Sequence, residues 1–356
     1  MDPATEEPTG HVSVAHVRDA WYVLAESSEL GAKPLARKLF GLPIVLFRDG
    51  AGVAGALLDR CPHRMVPLSL GAVAEGNLEC GYHGWQFDRA GGCKKVPGLC
   101  STEEAKSRDV PSHATREQDG YVWVWGQADQ EPSAEPYPLP TVSAPGYLVV
   151  RKQVTFPGSL HASLENALDV PHTAFLHRGL FRGGREPVEI EAILTRTATS
   201  VQAEFVGEPR PPGVAARIMS PSGGVVTHFD RFKMPCVAEV EYRLGTESHI
   251  VTTSLMTPED DFVTRVFAIV TLKVPVPGWL LRPFLEPYAM KIFQQDVWIL
   301  REQTEAIARW GGERYQSTEI DLVGAQIWRM LKRAAAGKPA DPAADEAWKK
   351  VIKLRV

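Results

Sequence analysis

Cys61-Pro62-His63 and, after sixteen intervening residues, Cys80-Gly81-Tyr82-His83 each place one cysteine and one histidine in a Gly/Pro-marked loop. Two thiolates and two imidazoles at that spacing suit a [2Fe–2S] cluster whose irons are ligated unequally. Thiolates stabilise ferric charge on one iron, while neutral imidazoles donate less negative charge to the other and raise the reduction potential. Such a site carries one electron at a time. A structural zinc ion accepts the same ligand types, but usually with like ligands adjacent in sequence, whereas each loop here supplies one of each kind.

A second constellation runs from Glu165 to His177 as E-x₃-D-x₂-H-x₄-H. His172 and His177 are five apart, and a helical break falls at Pro171, because proline removes an amide donor and clashes with the preceding turn. The break lets one imidazole swing toward the other. Two imidazoles and one carboxylate on one face of a metal leave the opposite face open, as Fe(II) oxygen chemistry requires. The acid must come from elsewhere. Tyr288, Ile292, Ile299, Gln303 and Trp310 define a mainly apolar helix face with Asp296 in its middle. An ionised carboxylate buried there is very costly without a partner, and a metal is such a partner. A helix drawn one face out of register would instead put Asp296 in solvent.

The strings CPHRMVPLSLG and CGYHGWQFD closely resemble the cluster loops of Rieske non-haem iron oxygenases, the group that includes vanillate O-demethylase and the ring-hydroxylating dioxygenases. The Glu165–His177 string is similar to the mononuclear-iron motif of the same group, and Gln295-Asp296 followed by Ile299-Leu300 looks like its final ligand segment. The resemblance implies that Asp169 hydrogen-bonds His172 and, across a subunit boundary, His83 of a neighbouring chain, fixing both imidazole tautomers. It also implies that Glu165 lies near a proton path and that Asn166 donates to oxygen or substrate, although both could equally be buried hydrogen-bonding structure. The implied fold is α+β: an all-β Rieske domain joined to a helix-grip (START-like) domain, whose antiparallel sheet curls around a long C-terminal helix. The implied assembly is a head-to-tail homotrimer.

The elements that must position these residues follow from the pattern. Ala20–Leu24, Ile44–Phe47, Ala54–Leu58 and Tyr121–Gly126 are short apolar runs between turn residues, the signature of a small antiparallel domain. We place it at residues 17–130. A proline-rich connection at 131–146 leads into a second domain at 147–356. There, Leu148–Phe156, Val188–Thr195, Ser200–Val206, Val225–Phe232, Val237–Tyr242, His249–Met256 and Thr264–Val274 read as strands. Ser159–His177, Phe284–Trp310 and Ile320–Lys332 read as helical. Gly207–Gly224 is a Pro/Gly-rich loop too long for a tight hairpin.

Composition narrows the function classes. A net charge of −4 recommends no nucleic acid or acidic membrane as partner. The acidic start lacks the basic and apolar regions of a signal peptide, and Val274–Leu285 is too interrupted to span a bilayer. Cys93, Cys100 and Cys236 read as reduced thiols of a cytoplasmic protein. With no G-x-G-x-x-G after a strand, no P-loop and no C-x₄-C-x₂-C, electrons must come from NAD(P)H through a separate reductase, with or without a ferredoxin.

The reading reached is an oxygenase that uses O2, a [2Fe–2S] cluster and mononuclear Fe(II) to hydroxylate or oxidatively demethylate a bulky, mostly apolar ring. Trp279, Leu280, Leu281, Phe284 and Leu285 could form an apolar entrance or pack against a neighbour. An aromatic-acid or aryl-ether oxygenase, with Arg217, Arg231 or Arg265 binding a carboxylate, is the alternative within the class. A Rieske electron carrier and a non-catalytic ligand-binding protein are the alternatives outside it. His161, four residues before Glu165 on the same helical face, and His228 and His249, in strands without spaced partners, are read as bonding neighbours.

Overall fold

The computed structural model describes residues 16–100, 105–178, 188–210, 220–221, 223–338 and 348–355. The chain divides into two compact units, one comprising Val17–Leu139 with Thr257–Asp260, the other the remainder.

The first unit is all β. Trp21–Glu26, Tyr121–Trp125 and Thr115–Gln118 form one antiparallel sheet, and Leu35–Leu39, Leu42–Arg48, Ala54–Leu58 and Ser112–His113 form a second. YVWVW is buried at every position, so this strand is covered on both faces and shows no alternation. A third sheet of short strands, Ala72–Ala74, Asn77–Glu79, Gln86–Phe87 and Cys93–Lys95, lies between and beyond the two Cys/His loops. Its first hairpin turns on Glu75-Gly76, both at positive φ (53° and 80°), the geometry that two-residue hairpins favour. The proline-rich connection is partly held by this unit: Trp21 Nε1 donates to the Ala134 carbonyl, and Leu139 N–H donates to Asp119.

The second unit carries an eight-stranded antiparallel sheet: β1 (Leu148–Phe156), β2 (Glu189–Arg196), β3 (Ser200–Val206), β4 (Val226–Lys233), β5 (Val237–Leu244), β6 (Ser248–Asp260), β7 (Val263–Lys273) and β8 (Lys349–Arg355). Their spatial order is β1-β7-β6-β5-β4-β3-β2-β8. β8 is absent from the sequence reading. It is rich in lysine and buries only Leu354 fully, so it carries little apolar signal. Among the described residues the α-helices are α1 (Leu160–Leu168), α2 (Gly278–Arg309) and α3 (Gly324–Ala335).

Two helical expectations need correction. The helix expected over Ser159–His177 ends at Leu168; Asp169 is extended (φ −91°, ψ 101°), and a short 3-10 turn spans Pro171–Ala174. Pro171 has no amide to continue the ladder, so the chain leaves the helix before reaching it. At the other end of the unit, α2 starts at Gly278, not Phe284, and takes Pro283 and Pro287 into its first third. Proline's fixed φ suits a helix, so the two residues cost amide donors without reversing the chain. Most of the segment read as an apolar entrance is therefore helical backbone; the side chains of Trp279, Phe284 and Leu285 lie outside the described residues. No helix among the described residues is long and apolar enough to cross a membrane.

Candidate metal centres

In the first unit the two Cys/His loops are built alike. Met65 N–H donates to the Cys61 carbonyl, and Gly84 N–H to the Cys80 carbonyl; Cys61 N–H and Cys80 N–H are in turn accepted by the carbonyls of Val66 and Trp85. The fourth residue after each cysteine takes a left-handed backbone (Met65 φ 61°, Gly84 φ 68°). Both cysteines are 2% exposed, packed with Val45, Phe47, Leu57, Leu68, Leu78 and Phe87. The His63 and His83 rings stand 4.6 Å apart, and Trp85 stacks on His63 at 4.9 Å with planes 5° apart. Asp59 pins the connecting turn, accepting from Ser69 N–H (2.7 Å) and Ser69 Oγ (2.6 Å).

These loops fit an inserted cluster. His63 Nδ1 is buried with no hydrogen-bond partner, an arrangement that costs free energy unless something binds the lone pair. Burial, with Cys80 beside it, holds the Cys61 thiol above its ordinary value; a metal would reverse this by deprotonating it.

In the second unit His172, His177 and Asp296 bring their ligand atoms within 4.8 Å of one another. His177 Nε2 lies 3.1 Å from His172 Nε2 and 3.1 Å from Asp296 Oδ1, and His172 Nε2 lies 3.9 Å from the same oxygen. His177 Nδ1 is bonded to Gln295 Oε1 (2.8 Å), and His172 Nδ1 to the Asp169 backbone carbonyl. Both acceptors fix the proton on Nδ1, so both Nε2 lone pairs point at one spot beside a carboxylate. Three electron-rich atoms facing each other repel unless a cation sits among them, and this donor set suits Fe(II). Burial lowers the proton affinity of His177, yet Asp296 and Gln295 together raise it above the ordinary histidine value.

The remaining sequence-derived residues surround this cluster. Asn166 Nδ2 approaches Asp296 Oδ1 at 3.4 Å. The Asp169 carboxylate stands 3.6 Å from His172 Nδ1, so its closer link to that ring is through the backbone. Glu165 is pushed up to about 7 by burial first, then by the carboxylates of Asp169, Asp321 and Glu313. Glu165, Asn166, Asp169 and His172 share a cavity of about 790 Å³ with Phe175 and Tyr315. Sequence reasoning assigned no task to Gln295, whose only signal is its place beside Asp296 in a helix.

His161 is buried and bonds the Gly324 carbonyl at 3.3 Å. His249 bonds Tyr147 and Glu241, and His228 bonds Glu208 and Asp230. Arg231 is engaged by Gln202, Glu239 and Glu241, and Arg265 by Gln153. Arg217 lies outside the described residues.

A fold that pairs a small β unit bearing a Cys₂His₂ loop pair with an antiparallel sheet and long helix is that of the Rieske oxygenases. Residues 20–113 match the Rieske [2Fe-2S] domain and residues 158–337 the vanillate O-demethylase oxygenase C-terminal domain, and the chain belongs to that family. Among curated relatives, the chloroplastic protein TIC 55 of Arabidopsis thaliana is 29% identical over 301 residues, covering 82% of this chain; the chain spans about half (54%) of that relative's length. The 4beta-methylsterol monooxygenase of Methylococcus capsulatus is 28% identical over 363 residues, 92% of each chain. The crystal structure of dicamba monooxygenase bound to 3,6 dichlorosalicylic acid superposes with a TM-score of 0.78 at 23% identity, covering 90% of this chain and 98% of that one, a likeness of fold.

Proposed function

We propose that this chain is the oxygenase component of a Rieske non-haem iron system that hydroxylates or oxidatively demethylates a bulky, mostly apolar ring. The observation that carries this reading is the convergence of His172 Nε2, His177 Nε2 and Asp296 Oδ1. The full-length likeness to a methylsterol monooxygenase supports the substrate class. The reaction consumes substrate C–H, O2, two electrons and two protons, and yields C–OH and water.

Cys61, His63, Cys80 and His83 would hold the cluster, and His172, His177 and Asp296 the mononuclear iron. When bound, the iron supplies an open face for oxygen activation, and the cluster relays electrons one at a time. Gln295 and the Asp169 carbonyl keep the two imidazoles in the ligating tautomer. Glu165, with its carboxyl near neutrality, can hold or release a proton at working pH. Asn166 keeps Asp296 oriented through its amide.

The resemblance further supports residues 17–130 as the Rieske domain, 131–146 as a linker and 147–356 as the catalytic domain. It also supports a cytoplasmic homotrimer fed by NAD(P)H through a separate reductase, with or without a ferredoxin. In that assembly His83 of one subunit meets Asp169 of the next. Iron analysis and a visible spectrum of anaerobically purified protein, followed by O2 consumption with a surrogate reductase, test the reading. Stoichiometric zinc in a colourless protein would end it.

A further inference from the structure

Gly324 opens α3, yet nothing in its backbone calls for glycine. The residue is helical and buried, its φ lies outside the left-handed region, and alanine favours a helix more than glycine does. Space is the constraint. A Cβ at this position would lie 1.9 Å from Glu165 Oε1, 2.7 Å from Glu165 Cδ and 3.0 Å from Glu165 Cγ. All three nearest atoms belong to one side chain of α1, not to the backbone of that helix. The missing methyl group therefore makes room for the Glu165 carboxyl rather than for the approach of one helix axis to another.

The surroundings hold that carboxyl in place. His161 Nε2, one turn earlier on α1, donates to the Gly324 carbonyl at 3.3 Å and stands 3.9 Å from Glu165 Oε2. The His161 ring also contacts Trp328 of α3 (4.7 Å) and Tyr315 (5.7 Å), whose hydroxyl donates to Glu313 at 3.0 Å. α1 and α3 are thus joined on both sides of the contact. Glu165 and Gly324 line the same cavity of about 790 Å³, and Asp169 and His172 line it too. The carboxyl therefore opens onto the space beside a metal-binding imidazole.

The charges around Glu165 are mostly of its own sign. Burial is the largest influence, and Asp169 of α1 with Asp321 and Glu313 of the connection between α2 and α3 add to it, so the carboxyl is pushed up to about 7. His161 brings no compensating cation, since burial holds it down to about 4. Tyr315 stays neutral, its hydroxyl pushed up by burial and by Glu313. Arg314 lines the cavity from the same connection, and from α2 the lining residues Ile299, Leu300 and Gln303 carry no charge. Moving the carboxyl out of its recess would return water to it and restore its ordinary acidity.

We propose that Gly324 is a positioning residue of the oxygenase, acting through Glu165: the side chain it lacks is the recess in which Glu165 holds its carboxyl against α3, on the wall of the cavity that His172 also lines. This rests on the oxygenase reading above, in which Glu165 holds a proton, and adds the residue that keeps it there. A methyl group at position 324 evicts the carboxyl rather than the helix, because the end of a flexible side chain moves more easily than backbone. Glu165 then becomes an ordinary acid, ionised at neutral pH.

The test compares the wild type, Gly324→Ala, Glu165→Ala and the double variant as full-length, metal-loaded protein. Iron content and the cluster spectrum are recorded first; their absence strikes the oxygenase reading and leaves the titration that follows intact. Infrared difference spectra across the pH range follow the carboxylic-acid band of Glu165, identified by its loss in Glu165→Ala. The midpoint of that band should fall from about pH 7 in the wild type to about pH 5 in Gly324→Ala. O2 consumption with the surrogate reductase should fall as pH rises through the same midpoint, because the proton-holding form is lost, and in Gly324→Ala that limb should move to lower pH with the band. An unmoved band, or a moved band with an unmoved limb, would overturn the proposal. If Gly324→Ala does not fold, the double variant decides: without the Glu165 arm the methyl group has its space, and a double variant that still fails to fold would overturn the proposal as well.

Discussion

His177 Nε2 stands 3.1 Å from Asp296 Oδ1, an imidazole after a broken helix facing a carboxylate from the middle of a long one. The pair is 2% and 8% exposed at its side chains, so the carboxylate is held in place as a buried ligand. Asp296→Ala should therefore lose the mononuclear iron and keep the cluster spectrum, with iron falling from about three to about two atoms per chain. Iron analysis beside the visible spectrum checks this, and full turnover by the variant would sink the ligand assignment.

The cluster loops make a separate prediction. Wild-type protein should be red-brown, and His83→Ala should bleach it by removing one imidazole ligand. Absorbance in the visible range, normalised to protein, reads the effect directly.

Between the two loops the backbone leaves no room for a side chain at Gly71, where a Cβ would lie 1.9 Å from the Glu79 carbonyl oxygen. Backbone must move to admit it. Gly71→Ala should destabilise the first unit by about 2–3 kcal/mol and weaken cluster retention. Urea unfolding of the variant measures the first effect and the spectrum the second.

Asp169→Asn should retain both metals yet lose most turnover, because it removes a charge beside His172 while preserving size. Mixing these subunits with His83→Ala subunits should restore partial activity, since unlike neighbours can combine an intact cluster with an intact Asp169. Confirmed subunit exchange without rescue would argue against electron transfer between subunits.

Stability in acid should depend on Glu241. Burial alone would raise its carboxyl, but Arg243, Arg231 and His249 outweigh it and bring the value down to about 2. A carboxyl depressed by folding contributes stability that is complete above its unfolded value and lost as pH falls through the folded one. The window thus runs from about pH 4.5 down to about pH 2. Glu241→Gln should flatten the thermal-stability profile there, removing on the order of 2–3 kcal/mol at neutral pH. An unaltered acid limb would contradict this.

Much of this architecture is legible in the sequence where the signal is local. The cysteines and histidines of each loop lie two or three positions apart, so residue type and spacing suffice. The gathering of His172, His177 and Asp296 is legible through a different logic, a lone acid on an apolar helix face. Gln295 and Glu208 are not, because their partners come from elements far away in the chain. Asp230 was within reach, since it follows His228 by two positions and must share its strand face. The first six residues of α2, Gly278–Pro283, escaped because Pro275, Pro277 and Pro283 read as breaks, and β8 because its lysines mask the alternation.

β8 has a consequence for solubility. It pairs with β2 over Glu189–Thr195 and closes a sheet edge whose amides and carbonyls would otherwise stand open along seven residues. An open edge is a template for pairing with other molecules. The exposed lysines of β8 present instead a row of positive charge that a second copy would repel. The strand therefore acts as a guard against fibre-like association, and its removal would be felt as precipitation before it was felt as lost chemistry.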